Sequence, residues 1–329
     1  MKKQIRDEIL ILSDNRPGNL SQSIGLAQEL GFDYKIITLT YNFLVFLPNF
    51  LLQNSTIHLS CESKKSLKNI NYLPHLIIST GRRSAPVALH LKKQSKNQSK
   101  IIQIMNPNLS LKKFDFVILP QHDEIEKTAS NNVITTIGSL TKINDNIINA
   151  ESDKFSSWFS DIDNTKIALL VGGSSNKTIF TKESAEKLAK LASRVTKNMN
   201  ATLLVLNSRR TSDEITETLK SNLNCDFKFF DWKNLGSENP YLAIISYADF
   251  FIITGDSVSM ISECCSSGKP VYIFDDQEIS SPKHHQFHLD LFLNKYAKKL
   301  AVSTERLQNF PSKKLQETKR VAGIIRGGL

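Results

Sequence analysis

Ten short, almost unbroken apolar runs mark this chain, each followed by polar residues and most by a helical pattern, and that alternation confines it to an α/β fold built on parallel sheets. In the first half the runs are EILILS (8–13), YKIITL (34–39), HLIIST (75–80), KIIQIM (100–105) and FVILP (116–120). The pattern restarts with KIALLVGG (166–173), TLLVLNS (202–208), FKFFDW (227–232), FFIITGDS (250–257) and PVYIFD (270–275). Strands covered by helices on both faces have no solvent side, so they read as continuous rather than alternating hydrophobicity. Between the first two runs, Leu20, Ile24, Ala27 and Leu30 recur at helical spacing and Gly31 stands where a left-handed cap is needed. In the second half Thr181 predicts a helix cap, Glu183 lies in the first turn, and Ala185, Leu188, Ala189, Ala192 and Val195 form the buried stripe. Strand patterning lapses across 144–165, so 329 residues divide into two Rossmann-like domains, 1–155 and 156–329.

In open α/β sheets a ligand sits beyond the carboxyl ends of the strands, which makes the residues just after each run the candidates for chemistry. After 166–173 come Gly172, Gly173, Ser174, Ser175 and Asn176, a loop whose amides and hydroxyls suit a phosphate. It matches neither the Walker A nor the GxGxxG spacing, which removes the usual support for an NTPase or a nicotinamide enzyme. Ser208, Arg209 and Arg210 follow the next run, offering guanidinium forks to a diphosphate. Thr254, Gly255, Asp256, Ser257, Ser259 and Met260 lead into a helix whose N-terminus would face the same anion, with Glu263 placed to accept sugar or ribose hydroxyls. The first half supplies Asp14, Arg16, Pro17, Gly18 and Gln22, then Gly81, Arg82 and Arg83, then Asn106, and finally His122 and Asp123. Of these, His122 beside Asp123 is the first candidate for a general base and Asp14 the second.

Forty-two Lys plus Arg against 32 Asp plus Glu give a net charge of +10, which favours an anionic partner; much of the excess is paired lysines of the kind that solvate a surface, and no nucleic acid is predicted. Cys61, Cys225, Cys264 and Cys265 show no CxxC spacing, which suits a reducing, cytoplasmic setting. The basic N-terminus lacks a signal-peptide core. FLVFLPNFLL (43–52) is about half the length of a bilayer-spanning helix and carries Pro48. Two readings of it stand: burial in a core or between domains, the plainer one, or a peripheral membrane contact that presents a lipid-linked acceptor. His284, His285 and His288 include an i, i+4 pair, but no ligand set of recognised spacing accompanies them and no metal is predicted. Gly255 to Ser259 imitates a hydrolase nucleophile elbow with Asp275 or Asp276 and His285 in order, although Ser259 replaces the final glycine.

Taken as a series, SDNRPGNLSQSIGLAQELG, STGRRSAP, MNPNLSLKKFDFVILPQHD, NVITTIGSL, LLVGGSSN, LNSRRTS and ITGDSVSMISECCSSGKPVYIF resemble the bacterial branch of the "elongated mitochondria" (Elm) family of mitochondrial fission proteins, from about residue 8 to 295. The resemblance implies a GT-B-like fold, two Rossmann-like domains with parallel sheets facing across a cleft, and a nucleotide-sugar donor in the C-terminal domain. It carries over the glycine-rich loop at Gly172, Gly173 and Ser174, the double arginine at Ser208, Arg209 and Arg210, and the helix start at Asp256, Ser257, Ser259, Met260 and Glu263. The expectation is therefore a metal-independent glycosyltransferase whose nucleotide-diphosphate-sugar is a substrate and which needs no other cofactor. Its rivals are a non-catalytic scaffold of the Elm type and a nucleotide-sugar epimerase.

Overall fold

A computed structural model of the chain describes residues 5–14, 16–123, 131–175, 178–236, 238–276 and 278–329. It divides into two compact units, one made of Met1–Lys142 with Gln316–Leu329 and the other of Ile143–Leu315.

The first unit is a six-stranded parallel sheet in the order β2-β1-β3-β4-β5-β6. Its strands are β1 (Ile5–Ser13), β2 (Tyr34–Thr38), β3 (Leu73–Thr80), β4 (Lys100–Ile104), β5 (Phe116–Pro120) and β6 (Val133–Thr136). The central strands bury Ile9 to Leu12 and Ile77, Ile78, Ile101 and Ile102, which accounts for their unbroken apolar runs. The helix Pro17–Leu30 ends at Gly31 with φ 81°, the left-handed cap that its sequence predicts.

The second unit repeats the plan in the order β12-β11-β10-β7-β8-β9, all parallel. These strands are β7 (Thr165–Leu170), β8 (Ala201–Leu206), β9 (Phe227–Phe230), β10 (Phe250–Thr254), β11 (Val271–Phe274) and β12 (Lys298–Lys299). Helix Lys182–Asn198 is capped by Thr181, whose side chain accepts from the Ser184 amide, and buries Ala185, Leu188, Ala189, Ala192 and Val195 against the sheet.

The stretch 144–165, where the strand pattern lapses, forms helices Asp145–Lys154 and Ser156–Phe159 and belongs to the second unit, with Asn144 capping the first of them at 2.9 Å. The chain end, assigned above to the second domain, returns to the first. Val321, Ala322 and Ile325 of helix Glu317–Gly328 are fully buried in the same core as Leu26 and Ala27, and Thr318 exchanges 2.9 Å hydrogen bonds with the backbone of Thr141.

Burial of FLVFLPNFLL is also corrected. Only Val45, Asn49 and Leu52 are buried, while Phe43, Phe46, Phe50 and Leu51 are exposed. None of the described helices is long and apolar enough to cross a membrane.

Candidate functional site

In each sheet one pair of neighbouring strands marks where the winding reverses: β1 and β3 in the first unit, β7 and β10 in the second. Loops leaving such a pair diverge, and the crevice between them is where open α/β sheets hold ligands.

The second unit's crevice is bridged by Asp256, which is 5% exposed. One of its oxygens, Oδ2, accepts from the Gly173 amide at 3.0 Å and pairs with Arg210 Nη2 at 2.6 Å. Arg210 Nη1 in turn donates to the Gly173 carbonyl at 3.1 Å. The Gly172 amide donates to Thr254 Oγ1 at 2.7 Å, and its carbonyl accepts from the Ser208 hydroxyl at 3.0 Å and from the Thr211 hydroxyl. Three strand ends, those of β7, β8 and β10, are thereby tied into one rim. The glycines are needed for a reason that the sequence did not reveal. A Cβ on Gly172 would lie 2.1 Å from Asp256 Oδ2, and one on Gly173 would lie 2.0 Å from the Arg210 carbonyl oxygen. Both amides serve the protein itself, so the expectation that they cradle a phosphate is corrected.

What this rim offers a ligand is the next layer outward. Ser174 and Ser175 are exposed, as is Arg209, which has no ion-pair partner among the described residues; Asn176 lies outside the described residues. Ser257 caps helix Val258–Ser267, its hydroxyl accepting from the Met260 amide at 3.5 Å, while Ser259 and Met260 are half-buried on the first turn. Glu263 is buried one turn further on and accepts a 2.5 Å hydrogen bond from Tyr241 Oη. Burial, then the Glu263 charge, pushes the Tyr241 phenol well up, so it stays a donor and leaves Glu263 as an acceptor. Tyr241 was not singled out from sequence; it comes from a helix unrelated in spacing to Glu263.

Behind Gly255 lies a second cluster. Asp275 Oδ2 and Oδ1 meet His285 Nδ1 at 2.8 Å and His288 Nδ1 at 2.9 Å, and His288 Nε2 donates to the Gly255 carbonyl at 2.9 Å. Burial alone would raise the Asp275 carboxyl, but the hydrogen bond and charge from His288, with a further hydrogen bond from His285, hold it below the usual carboxylate range. Asp275, His285 and His288 each place a ligand atom within 4.8 Å of the others, a metal-compatible set that helical spacing concealed because its acid lies on the strand-end loop. His284, the other member of the i, i+4 pair, instead accepts from the Ser281 amide in a capping box. Ser257, occupied as a helix cap, has no hydrogen bond to His285 among the described residues, so the hydrolase order of Ser, Asp and His does not assemble into a triad.

The first unit's crevice is built differently. Asp14, 8% exposed, accepts from Asn19 Nδ2 at 3.0 and 3.1 Å and from the Arg16 amide at 3.3 Å, with the Arg16 guanidinium 3.5 Å away. Its lone pairs are already engaged, which suits an organising carboxylate better than a base. Pro17 and Gly18 open the helix, and Gln22 reaches the Met105 sulfur at 3.9 Å. Gly81 takes φ +77° at the end of β3, a turn that only glycine makes without strain. The following carbonyls are clamped: Asn49 Nδ2 donates to Arg82 and Pro107 at 2.6 Å each, and His58 Nε2 to Arg83 at 2.9 Å. Arg83 lies 5.9 Å over the Tyr41 ring. Tyr41 Oη is buried with no hydrogen-bond partner among the described residues, and burial, then the nearby Asp14 charge, pushes its pKa up. Asn106 turns its own loop, accepting from the Asn108 amide at 2.8 Å. His122 is buried after β5, with Asp123 half-buried beside it. Three strand spacings separate β1 from β5, roughly 14 Å, so Asp14 and His122 do not act on one proton. Sequence reasoning missed Asn49 and His58, which no motif flags because they lie in a loop far along the chain from the carbonyls they serve, and Tyr41, whose ring lies under Arg83.

Against known proteins, residues 17–329 match the family described as Mitochondrial fission ELM1. "Uncharacterized protein RP120" of Rickettsia prowazekii (strain Madrid E) is 34% identical over 351 residues, covering 98% of each chain. Mitochondrial fission protein ELM1 of Arabidopsis thaliana is 24% identical over 220 residues, 61% of this chain and 51% of its own length. Among solved structures, UDP-GlcNAc 2-epimerase of Methanocaldococcus jannaschii, in complex with UDP-GlcNAc and UDP, matches 98% of this chain and 99% of its own with a TM-score of 0.53 at 13% identity. Spinosyn forosaminyltransferase SpnP matches 97% and 93% with a TM-score of 0.51 at 10% identity. The two parallel six-stranded sheets thus form a GT-B-like α/β fold. By the match along nearly its whole length, the chain belongs to the mitochondrial fission ELM1 family.

Proposed function

We propose that this protein is a glycosyltransferase that takes a sugar from a nucleotide-diphosphate-sugar held on the second unit and passes it to an acceptor held on the first. The observation that carries the reading is the Asp256–Arg210–Gly173 bridge, which fixes the ends of β7, β8 and β10 into one rim bearing Arg209, Ser174, Ser175 and the N-terminus of helix Val258–Ser267. A diphosphate on that rim meets a guanidinium and a helix dipole, the groups that stabilise negative charge as it develops on a leaving group. Glu263, held by Tyr241, accepts a hydroxyl of the ribose or sugar. In the transfer, the acceptor oxygen bonds to the anomeric carbon as the bond to the diphosphate oxygen breaks. The electron pair leaves with the diphosphate and the acceptor proton passes to a base, for which His122 is the first candidate.

A non-catalytic reading is favoured by one observation: the glycine amides and the Asp14 carboxylate are engaged by the protein's own groups. Turnover separates the two. Incubated with UDP-, GDP- and TDP-sugars and a membrane extract, a transferase releases nucleotide only when acceptor is present. Release without acceptor points to a hydrolase, and conversion of a donor to its epimer without net release points to an epimerase. No release with any donor, together with no thermal shift from any nucleotide, leaves the scaffold.

A further inference from the structure

Twelve large apolar side chains are exposed among the described residues, and five of them, Phe43, Phe46, Phe50, Leu51 and Ile57, fall within one short loop between β2 and β3 of the first unit. Each is between 47% and 79% exposed, far from the burial that a phenylalanine or leucine ordinarily finds. The loop is not loose. Asn42 ties its base by donating to the Ile57 and Leu59 carbonyls at 2.8 and 3.1 Å and accepting from the Leu44 amide at 2.9 Å. Val45, Asn49 and Leu52 are buried beneath it. A rigid mount thus holds an apolar crest in solvent.

Three properties decide what covers that crest. First, residues 34–61 contain no Asp or Glu, and Glu62 is the first acid beyond them. Second, cations rim it: Lys64 Nζ lies 3.4 Å from the Ile57 carbonyl, Arg82 Nη1 lies 3.4 Å from that of Leu47, and Lys65 and Lys68 are exposed on the adjoining helix Cys61–Lys68. Third, part of the loop's backbone is satisfied within the loop: the amides of Val45, Leu47, Leu51 and Gln53 donate to its carbonyls, and Pro48 has no amide to satisfy. Fewer open donors lower the cost of lying against acyl chains. Apolar tip and basic rim together describe a wedge for an anionic bilayer surface.

We propose that residues 43–57 insert into the interfacial layer of a membrane containing anionic lipids and hold the protein there as a peripheral, non-spanning wedge. The inference stands without the transferase reading. If both hold, the wedge has a place in the reaction, since Asn49 clamps the Arg82 and Pro107 carbonyls and so joins the crest to the rim of β3 and β4, where an acceptor carried on a lipid would arrive.

The test is co-sedimentation of the full chain with vesicles of phosphatidylcholine, with and without phosphatidylglycerol. The protein is expected to bind the anionic vesicles, and Phe46→Glu with Phe50→Glu is expected to weaken that binding at least about thirty-fold while leaving the thermal melt unchanged, because both side chains are exposed. In a separate variant, Phe46→Trp, added tryptophan emission should shift to the blue and be quenched by brominated acyl chains. Failure of the parent to bind, equal binding by the double glutamate variant, or no quenching of the new tryptophan overturns the proposal. So does a parent that dimerises through this face, loses the dimer in the glutamate variant and ignores vesicles. No arm uses a sugar nucleotide, so failure here and failure of the transferase reading are told apart.

Discussion

In the second unit the residues beyond β7, β8 and β10 are tied to one another: Asp256 Oδ2 takes the Gly173 amide and Arg210, and Thr254, Ser208 and Thr211 take the rest of Gly172, while Asp256 Oδ1 is buried without a hydrogen-bond partner among the described residues. In the first unit the loop from 41 to 58 clamps carbonyls of the β3 and β4 ends and leaves Tyr41 Oη, Asn49 Oδ1, Ser55 Oγ and His58 Nδ1 buried without hydrogen-bond partners among the described residues. The same Rossmann plan thus yields one rim closed by a carboxylate–guanidinium–glycine bridge between strand ends and another held by side chains reaching in from a long loop.

The sharpest way to break the comparison is a methyl group. Gly173→Ala drives a Cβ into the Arg210 backbone at 2.0 Å and is expected to cost at least about 3 kcal/mol, read as a fall in melting temperature of the order of 6–12 °C. In the first unit Gly81→Ala meets nothing closer than 3.7 Å and is expected to cost only about 1–2 kcal/mol, from its positive φ. Next comes Asn49→Ala, which strips the donor from two carbonyls at once. Urea unfolding should show a loss of about 2 kcal/mol, and a loss below about 0.5 kcal/mol would mean the clamp is ornamental.

A third test uses pH. Because the folded Asp275 carboxyl is held below its unfolded value, its contribution is fully present above the ordinary aspartate range near about 4 and is lost as pH falls toward the lowered folded value. Melts of the parent and Asp275→Asn should therefore differ most near neutrality and converge in acid; a constant gap would contradict the assignment. The smallest effect is expected from Tyr41→Phe. Removing a hydroxyl that has no partner among the described residues should change stability by less than about 0.5 kcal/mol, and a larger loss would show that the hydroxyl is paired.

Much of this plan was legible from the apolar runs, since a strand buried on both faces has no alternative pattern to imitate. Ten strands answer to them; the two that do not are edge strands. β6 alternates buried and exposed positions, and β12 is two exposed lysines. The runs 166–173 and 250–257 extend past their strands, which end at Leu170 and Thr254, because glycine, serine and aspartate after the last ladder bond still look like strand ends. The membership of helix Glu317–Gly328 was hidden for a different reason: its stripe of Val321, Ala322 and Ile325 says that it is buried, and nothing in it says against which sheet. At the rim, residue types were readable but their partners were not. Gly172 and Gly173 look like a phosphate loop; their space is taken by Asp256 and the Arg210 backbone, contacts made across dozens of residues.

The second unit's rim is proposed to bind a sugar nucleotide through its outer guanidinium, Arg209, and the helix terminus. Titration calorimetry of UDP-, GDP- and TDP-sugars against the parent and Arg209→Ala tests this, because Arg210, which holds the rim together, stays in place. At least one donor is expected to bind the parent, and the variant to bind it at least about tenfold more weakly. Binding that is unchanged in the variant, or absent with every donor, would contradict the proposal.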